Sequence, residues 1–181
     1  MEQNKAFLNF LLDRRSCRKF RAELPPRSAL AAVAEAGRYA PSAKNRQLNR
    51  FYIITDPALL ASISRTVSDR LEGFAGHDCR YAAPALILVV NSRTNNCAIQ
   101  DASCALENMM LAACAMGLGS CWINQPYFLR DDAVMQELLA PIGLTDADMI
   151  CGSLAVGYPE HDLFPGRLDH PGNPVFWVDG E

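Results

Sequence analysis

Four residues near the start of the chain have side chains suited to holding a phosphate group. The stretch RRSCR contains Arg14, Arg15, Ser16 and Arg18. An arginine guanidinium is planar and its donors match the spacing of phosphate oxygens, while a serine hydroxyl adds a further donor. Two such arginines could anchor a dianion. The alternative is a solvated cationic patch that follows a helix and is favoured by the helix dipole.

The sequence lacks the common motifs by which side chains alone break bonds. In CGSLAVG, Leu154 and Ala155 displace the glycine from the G-x-S-x-G pattern of a nucleophile elbow. GLGSCW follows a helical segment, whereas the dinucleotide fingerprint G-x-G-x-x-G follows a strand and opens a helix. The chain has no P-loop and no H-E-x-x-H. An enzyme of this sequence would therefore need a cofactor that brings its own reactivity.

Composition limits the possible partners and the location. The 181 residues fit one domain, and a formal charge of −3 gives no overall attraction to nucleic acid or to an anionic membrane. The seven cysteines show neither a C-x-x-C pair nor zinc spacing, so we predict no metal site. The N-terminus resembles neither a secretory signal nor a spanning helix. These features predict a cytoplasmic protein without nucleic-acid or membrane partners.

Hydrophobic spacing predicts a mixture of helices and strands. Helices are expected over residues 3–13, from a capping Ser28 to Pro41, over 57–66, over 99–116, and in DDAVMQELLAPIG. Strands are expected in RFYIIT, PALILVV, SCWI, DMICGSLAVGYP and NPVFWVDGE. Residues 66–80 are expected to form a loop with at most one helical turn, which would be a lid or the rim of a pocket. The order is not a regular βαβ alternation, which favours the α+β class. The helix over 99–116 is apolar nearly all round, so it is either central in the domain or packed on a second copy.

Five stretches in the same order give the chain a specific resemblance. RRSCRKF, APSAKNRQLNRFYIITD, YAAPALILVV, DASCALENMMLAACAMGLGSCWI and ICGSLAVGYP together resemble the nitroreductase family of flavoproteins. The resemblance implies one domain over 1–181 with a three-layer α+β fold, in which helices flank a central, mainly antiparallel sheet. It further implies an intertwined homodimer with FMN at the interface. Residues 160–181 would be a C-terminal extension that packs on the partner subunit.

The resemblance also assigns roles to the residues of the first stretch. Arg14 and Ser16 would hold the phosphate and the ribityl chain of FMN. Arg18 would face the pyrimidine edge of the flavin, where a guanidinium stabilises the negative charge of the reduced ring. Arg15 matches the motif, but it could equally point to solvent.

A second group of implied site residues follows the second predicted helix. Pro41 and Ser42 would come from the partner subunit, and Asn45 would hydrogen-bond the pyrimidine edge. The alternative for Asn45 is an ordinary polar turn between helix and strand. The family usually continues with Pro-Trp where this chain has Leu48 and Asn49. This departure concerns the wall of the site and weakens inference about the substrate.

The remaining implied contacts lie in the second half of the chain. Ile123 and Asn124 would lie behind the flavin ring, with core packing as the alternative for Ile123. Arg167 would contact the phosphate. Glu107 and Asn108 are expected to be satisfied by neighbouring backbone or by the partner rather than to donate protons.

The implied activity is that of an FMN-dependent oxidoreductase. Hydride would move from NADH or NADPH through flavin N5 to a small conjugated acceptor, such as a nitroaromatic compound or a quinone, by a ping-pong mechanism. No side chain would act as an acid or base, and Arg18 would tune the cofactor. The short 66–80 segment predicts an open pocket. The alternatives are a non-catalytic flavin-binding sensor or carrier, and a specialised flavin reaction such as reductive dehalogenation.

Overall fold

The computed structural model describes residues 2–161 and 172–178 of the chain. Its elements are helices α1 (Glu2–Asp13) and α2 (Arg27–Arg38), strand β1 (Arg50–Ile54), helix α3 (Pro57–Arg70), strand β2 (Ala85–Ser92), helix α4 (Ala98–Ala115), strand β3 (Gly119–Ile123), helices α5 (Gln125–Phe128) and α6 (Ala133–Leu139), and strand β4 (Asp148–Gly157). Short 3-10 turns lie at Ala43–Asn45 and Ala140–Ile142. Among the described helices, none combines the length and apolarity needed to cross a membrane.

The strands form one antiparallel sheet in the order β1-β2-β4-β3. The inner strand β2 is buried from Ala85 to Asn91, as expected for a continuous apolar run covered on both faces. Its register with β4 shifts once, between Val89 and Val90. The predicted strand buried on both faces is confirmed.

Helices cover both faces of the sheet, which gives three layers. Successive residues of β2 point to opposite faces, so alternate side chains enter different cores. Leu86, Leu88 and Val90 pack with α3 and α6, through Leu60, Ile63, Val67, Met135 and Leu139. Ala85, Ile87 and Val89 pack with α2 and α4, through Leu30, Val33, Leu106, Met109 and Ala113. The α+β class and the antiparallel sheet flanked by helices are confirmed.

Three sequence predictions about secondary structure are wrong: where one helix begins, where another ends, and the presence of a last strand. Helix α2 begins at Arg27 behind Pro26, so Ser28 lies inside the helix and is not its cap. Helix α3 continues to Arg70, through part of the segment predicted as a loop, because Val67 is fully buried against the sheet. The strand predicted in NPVFWVDGE is absent from residues 173–178, where Trp177 is 84% exposed, while residues 179–181 lie outside the described residues.

The arginine-rich segment is attached to the edge of the sheet. Cys17 N donates to Ser120 O at 2.8 Å, and Arg21 N donates to Tyr158 O at 2.9 Å. The segment passes so close to β3 that a Cβ on Gly119 would lie 2.7 Å from Cys17 Sγ. A larger residue at position 119 would therefore displace the segment that carries the arginines.

Candidate functional site

Arg14 reaches from the end of α1 to α4. Its Nε lies 3.6 Å from a carboxylate oxygen of Glu107, and its side chain is 25% exposed. Its Nη1 is buried and has no hydrogen-bond partner among the described residues. A buried cationic donor without an acceptor is costly. Arg14 Nη1 is thus placed to receive an acceptor that no described residue supplies.

The other residues of the segment have different environments. Arg15 turns back on α1, with Nη1 donating to Leu12 O and Arg14 O, each at 3.0 Å. Ser16 is exposed and pairs through its backbone with Ser120. Arg18 is exposed and forms no hydrogen bond or ion pair with another described residue. Arg14 therefore reaches towards α4, while Ser16 and Arg18 lie exposed where the segment runs along β3. Their contacts with a cofactor stay predictions.

The start of β3 lies beside this segment, and Ile123 and Asn124 follow at the other end of the strand. The Ile123 side chain is only 2% exposed and belongs to the core on the α3 and α6 face. Its contact with a flavin stays a prediction. Asn124 is exposed, and its Oδ1 accepts from Trp122 Nε1 at 2.7 Å. Gln125 Oε1 is buried without a donor from the described part of the chain. Sequence reasoning missed Trp122 and Gln125, whose polar atoms are recognisable only from their surroundings.

The two thiols nearest the arginines are poor nucleophiles. Burial raises the pKa of Cys17, and the carbonyl of Lys19 accepts from its Sγ at 3.1 Å. Burial also raises the pKa of Cys121, although the charges of Arg18 and Arg14 oppose this shift. Both groups are protonated at neutral pH. They contribute packing beside the arginines rather than reactivity.

The second predicted group lies on the loop 41–49 between α2 and β1. Pro41 and Asn45 are exposed, while Ser42 is half-buried. Ser42 Oγ accepts from Gln47 N at 3.0 Å, and Asn45 Oδ1 accepts from Gln47 Nε2 at 2.8 Å. A turn stabilised by its own side chains accounts for these bonds. Any contact of this loop with a cofactor therefore remains a prediction.

The loop and the arginine segment contact different sides of α4. Arg14 approaches Glu107, whereas Ala43 N on the loop donates to Asp101 Oδ1 at 2.9 Å. Side chains six residues apart on a helix point in directions that differ by about 120°. One copy of the chain therefore directs the two groups to separate regions.

The predictions for residues on and beyond α4 have mixed outcomes. Asn108 Nδ2 donates to Ala36 O at 3.2 Å, so the expectation that neighbouring backbone satisfies it is confirmed. Glu107 pairs instead with the Arg14 side chain. Arg167 lies outside the described residues. Asp101 is 5% exposed and was missed, because its partners lie far from it in the sequence.

Comparisons with known proteins agree with this geometry. The model of the Nitroreductase family matches residues 11–158. A nitroreductase from Bacteroides fragilis, solved with bound FMN, is 28% identical, with a TM-score of 0.85 over 94% of this chain and 98% of its own. A protein of Archaeoglobus fulgidus with the provisional name NADH dehydrogenase/NAD(P)H nitroreductase is 26% identical over 172 residues, which cover 92% of this chain and 93% of its own. An iodotyrosine deiodinase solved with FMN and 3-iodo-L-tyrosine is 23% identical, with a TM-score of 0.75 over 96% of this chain and 98% of its own, and this likeness shows the fold alone.

Proposed function

The chain belongs to the nitroreductase family, and we propose that it is an FMN-dependent oxidoreductase that passes hydride from NADH or NADPH to a small conjugated acceptor. The FMN-bound relative from Bacteroides fragilis and the named relative from Archaeoglobus fulgidus support this proposal. Nitroaromatic compounds and quinones are the acceptor classes we propose. Donor and acceptor would use one pocket in turn, in a ping-pong mechanism.

The state of Arg14 is the observation that carries the cofactor assignment. Its buried Nη1 lacks an acceptor among the described residues, and a phosphate oxygen has the charge and geometry to provide one. Ser16 is exposed two residues later and can donate its hydroxyl to the same ligand. The residues present therefore fit a phosphorylated cofactor. Arg167 is proposed as a further phosphate contact.

FMN supplies the two-electron chemistry when it is bound, because its ring accepts hydride from a nicotinamide and gives it to an acceptor. The side chains of the protein would bind and orient this cofactor. Arg18 is exposed and uncompensated by any described carboxylate, so its full charge is available to stabilise negative charge at the pyrimidine edge. Asn45 from the partner subunit is proposed to hydrogen-bond the same edge, with Pro41 and Ser42 beside it. Ile123 and Asn124 are proposed to lie behind the ring.

We propose an intertwined homodimer as the functional unit. Within one chain the two groups of site residues contact different sides of α4, and this separation supports a site to which each copy contributes one group. Large apolar side chains are also exposed on α1, where Phe7 is 61% and Leu8 is 57% exposed. The C-terminal extension 160–181 would pack on the partner through residues such as Trp177.

The location and the breadth of acceptors are part of the same proposal. All seven cysteines are free thiols, which fits the reducing cytoplasm where NADH and NADPH are supplied. Beyond α3 the described chain has only the short connection 71–84 before β2, and this connection contains no helix that could close over a pocket. We therefore propose an open pocket that accepts several related electrophiles.

An FMN titration followed by rapid mixing tests the proposal. The purified chain should bind FMN in a one-to-one ratio per subunit and show the two flavin absorption bands in the near-ultraviolet and the blue. NADH or NADPH should bleach the blue band, and a nitroaromatic or quinone acceptor should restore it within the time of one turnover. A folded sample that stays colourless with excess FMN contradicts the proposal.

Two partial results of the same experiment point to other functions. A bound flavin that neither nucleotide bleaches at a useful rate indicates a sensor or carrier. A reduced flavin that leaves nitroaromatic compounds and quinones untouched, but releases halide from a halogenated phenol, indicates reductive dehalogenation.

A further inference from the structure

The loop 41–49 has an unfavourable backbone that something must maintain. Lys44, Asn45 and Gln47 have φ angles of 55°, 53° and 54°, in the left-handed region. Residues with a side chain pay an energetic cost there, although asparagine tolerates it best. Three such residues in four positions persist only when their surroundings hold them in place.

Bonds within the loop explain only part of its shape. Asn45 N donates to Ser42 O at 2.9 Å, and Arg46 N donates to Ala43 O at 3.2 Å. These bonds, with the two to Gln47, connect exposed or half-buried groups that water can also satisfy. They fix the turn locally. They do not fix its position relative to the rest of the molecule.

Asp101 holds both ends of the loop from a buried position in the first turn of α4. Its Oδ1 accepts from Ala43 N at 2.9 Å, at the beginning of the turn. Its backbone carbonyl accepts from Asn49 Nδ2 at 3.0 Å, at the end of the loop. One residue of a rigid helix therefore sets the positions of residues 43 and 49 together.

A closed ring of hydrogen bonds supports these two contacts. Asn49 Oδ1 accepts from Asn91 Nδ2 at 2.7 Å, and Asn91 Oδ1 accepts from Asn95 Nδ2 at 3.1 Å. Asn95 Nδ2 also donates to Asp101 Oδ2 at 3.0 Å, which returns the ring to its start. Asn91 and Asn95 are 0% and 5% exposed. Satisfied buried polar groups of this kind specify one arrangement, because any shift leaves a donor or acceptor without a partner.

We propose that Asp101 is a positioning residue that keeps the strained loop 41–49 in the geometry needed to present Asn45 and Ser42 to the cofactor. Its side chain acts directly on Ala43, and on Asn49 through Asn95 and Asn91. This effect requires no contact with FMN. The part of this proposal that concerns FMN rests on the function proposed above. The part that concerns the loop stands on the apo chain alone, so the two can fail separately.

Trypsin provides a direct measure of the loop in the apo protein, because Lys44 and Arg46 are exposed within it. The initial rate of cleavage after these residues, followed by mass spectrometry, should rise about tenfold in Asp101→Ala. Asp101→Asn keeps one acceptor oxygen and should give an intermediate rate. Cleavage after Arg65 in α3 should not change, because it reports global unfolding rather than opening of the loop.

Ser103→Ala is the matched control. Ser103 lies two residues further along α4, and its hydroxyl donates to Ile99 O at 2.7 Å within the same helix. This variant removes a side-chain hydrogen bond from α4 without touching the loop. It should cleave at the wild-type rate after Lys44 and Arg46.

FMN affinity tests the functional half. In a fluorescence titration of the full chain, we expect the Kd to rise about tenfold in Asp101→Ala, which corresponds to about 1.4 kcal/mol. The Kd of Asp101→Asn should lie between those of the wild type and Asp101→Ala, and the Kd of Ser103→Ala should equal that of the wild type. If Asp101→Ala does not fold, Asn49→Ala removes a half-buried member of the same ring and should raise both loop cleavage and Kd.

The outcomes separate the hypotheses. Faster cleavage at Lys44 and Arg46 with an unchanged Kd overturns the positioning role and leaves a purely structural one. Equal acceleration at Arg65 overturns the claim of a local effect. Failure of the wild type to bind FMN contradicts the proposed function, while the cleavage data still decide whether Asp101 holds the loop.

Discussion

Arg14 shows most directly how one side chain can determine cofactor binding. Its Nη1 is buried without an acceptor from the described chain, while Glu107 faces only its Nε, at 3.6 Å. We expect Arg14→Ala to raise the Kd for FMN about 10- to 100-fold, since hydrogen bonds to charged groups contribute about 1.5–3 kcal/mol. Arg14→Lys keeps the positive charge but loses the planar set of guanidinium donors, so its Kd for FMN should be intermediate. A fluorescence titration that gives equal Kd values for all three proteins would refute this role.

Arg18 has a different predicted effect, on the reduction potential. The residue is exposed and has no described partner, so Arg18→Ala should fold normally. Without the charge of Arg18 the reduced flavin is less stable. We therefore expect the reduction potential of the bound flavin to fall by about 30 mV, which is about 1.4 kcal/mol for two electrons. Hydride uptake from the nicotinamide should slow accordingly. Arg21→Ala removes the same charge from the same segment and serves as the control in a dye-equilibration measurement.

The sequence predicts residues of this kind only when the function needs a recognisable side-chain type. The arginines of RRSCR suggest a phosphorylated ligand, because few other side chains bind anions so well. The flavin, and the role of Arg18 at its pyrimidine edge, came only from the family resemblance. Asp101 has no such signature. Its partners at 43 and 49 are more than fifty positions away, and only the packing of α4 against the loop brings them together.

At the scale of elements, an ion pair between Arg50 and Asp148 connects the first residue of β1 with the first residue of β4, across the strand β2 that lies between them. The Asp148 carboxylate pairs with Arg50 and accepts from Thr145 N at 2.9 Å and from Thr145 Oγ1 at 3.0 Å. Burial alone would raise the pKa of Asp148, but the Thr145 hydrogen bonds and the Arg50 charge outweigh it and lower the pKa. The carboxylate therefore stabilises the fold when it is ionised.

The sign of this shift gives a pH prediction. A lowered folded pKa adds stability above the unfolded value of about 4, and this stability is lost as the pH falls through the folded pKa. Asp148→Asn should therefore unfold at lower urea than the wild type at pH 7, and the gap should narrow steadily below about pH 4. A gap that is the same at pH 7 and pH 3 would show that the charge contributes nothing.

The exposed side of α4 predicts where two copies meet. Gln100, Cys104, Glu107 and Ala115 are exposed along one stripe of this otherwise apolar helix. We expect Cys104→Glu to place a charge in the subunit interface and shift the protein to monomers in analytical ultracentrifugation. Gln136→Glu, on the exposed surface of α6, adds the same charge elsewhere and should leave the dimer intact. A dimeric Cys104→Glu protein would place the interface on another surface.

Elements were predictable from the sequence where local pattern and tertiary packing agree. The apolar run of β2 and the long apolar pattern of α4 were predicted close to their observed bounds. The end of α3 was not, because contact of Val67 with the core extends the helix beyond its weak local periodicity. The apolar run 174–178 forms no strand either, since a strand needs a neighbour and the described chain offers it none.

At the scale of the whole molecule, the exposed apolar segment 175–178 supports the proposed homodimer. Val175, Phe176, Trp177 and Val178 are each more than 80% exposed. A contiguous exposed apolar segment of this kind usually marks an interaction surface. Packing against a second copy would bury it, and the predicted strand could then form between subunits rather than within one.

Trp177 can report this packing, because the chain has only one other tryptophan, Trp122. The emission of Trp177 is obtained in the apo protein as the difference between wild type and Trp177→Phe. It should be blue-shifted and protected from acrylamide at dimeric concentrations, since the indole then leaves water. Dilution to monomers, or the Cys104→Glu substitution, should shift it to the red and expose it to the quencher. An indole that is equally quenched in the dimer and the monomer would mean that residues 175–178 stay in solvent, and the partner subunit would then have to be held by α1 and α4 alone.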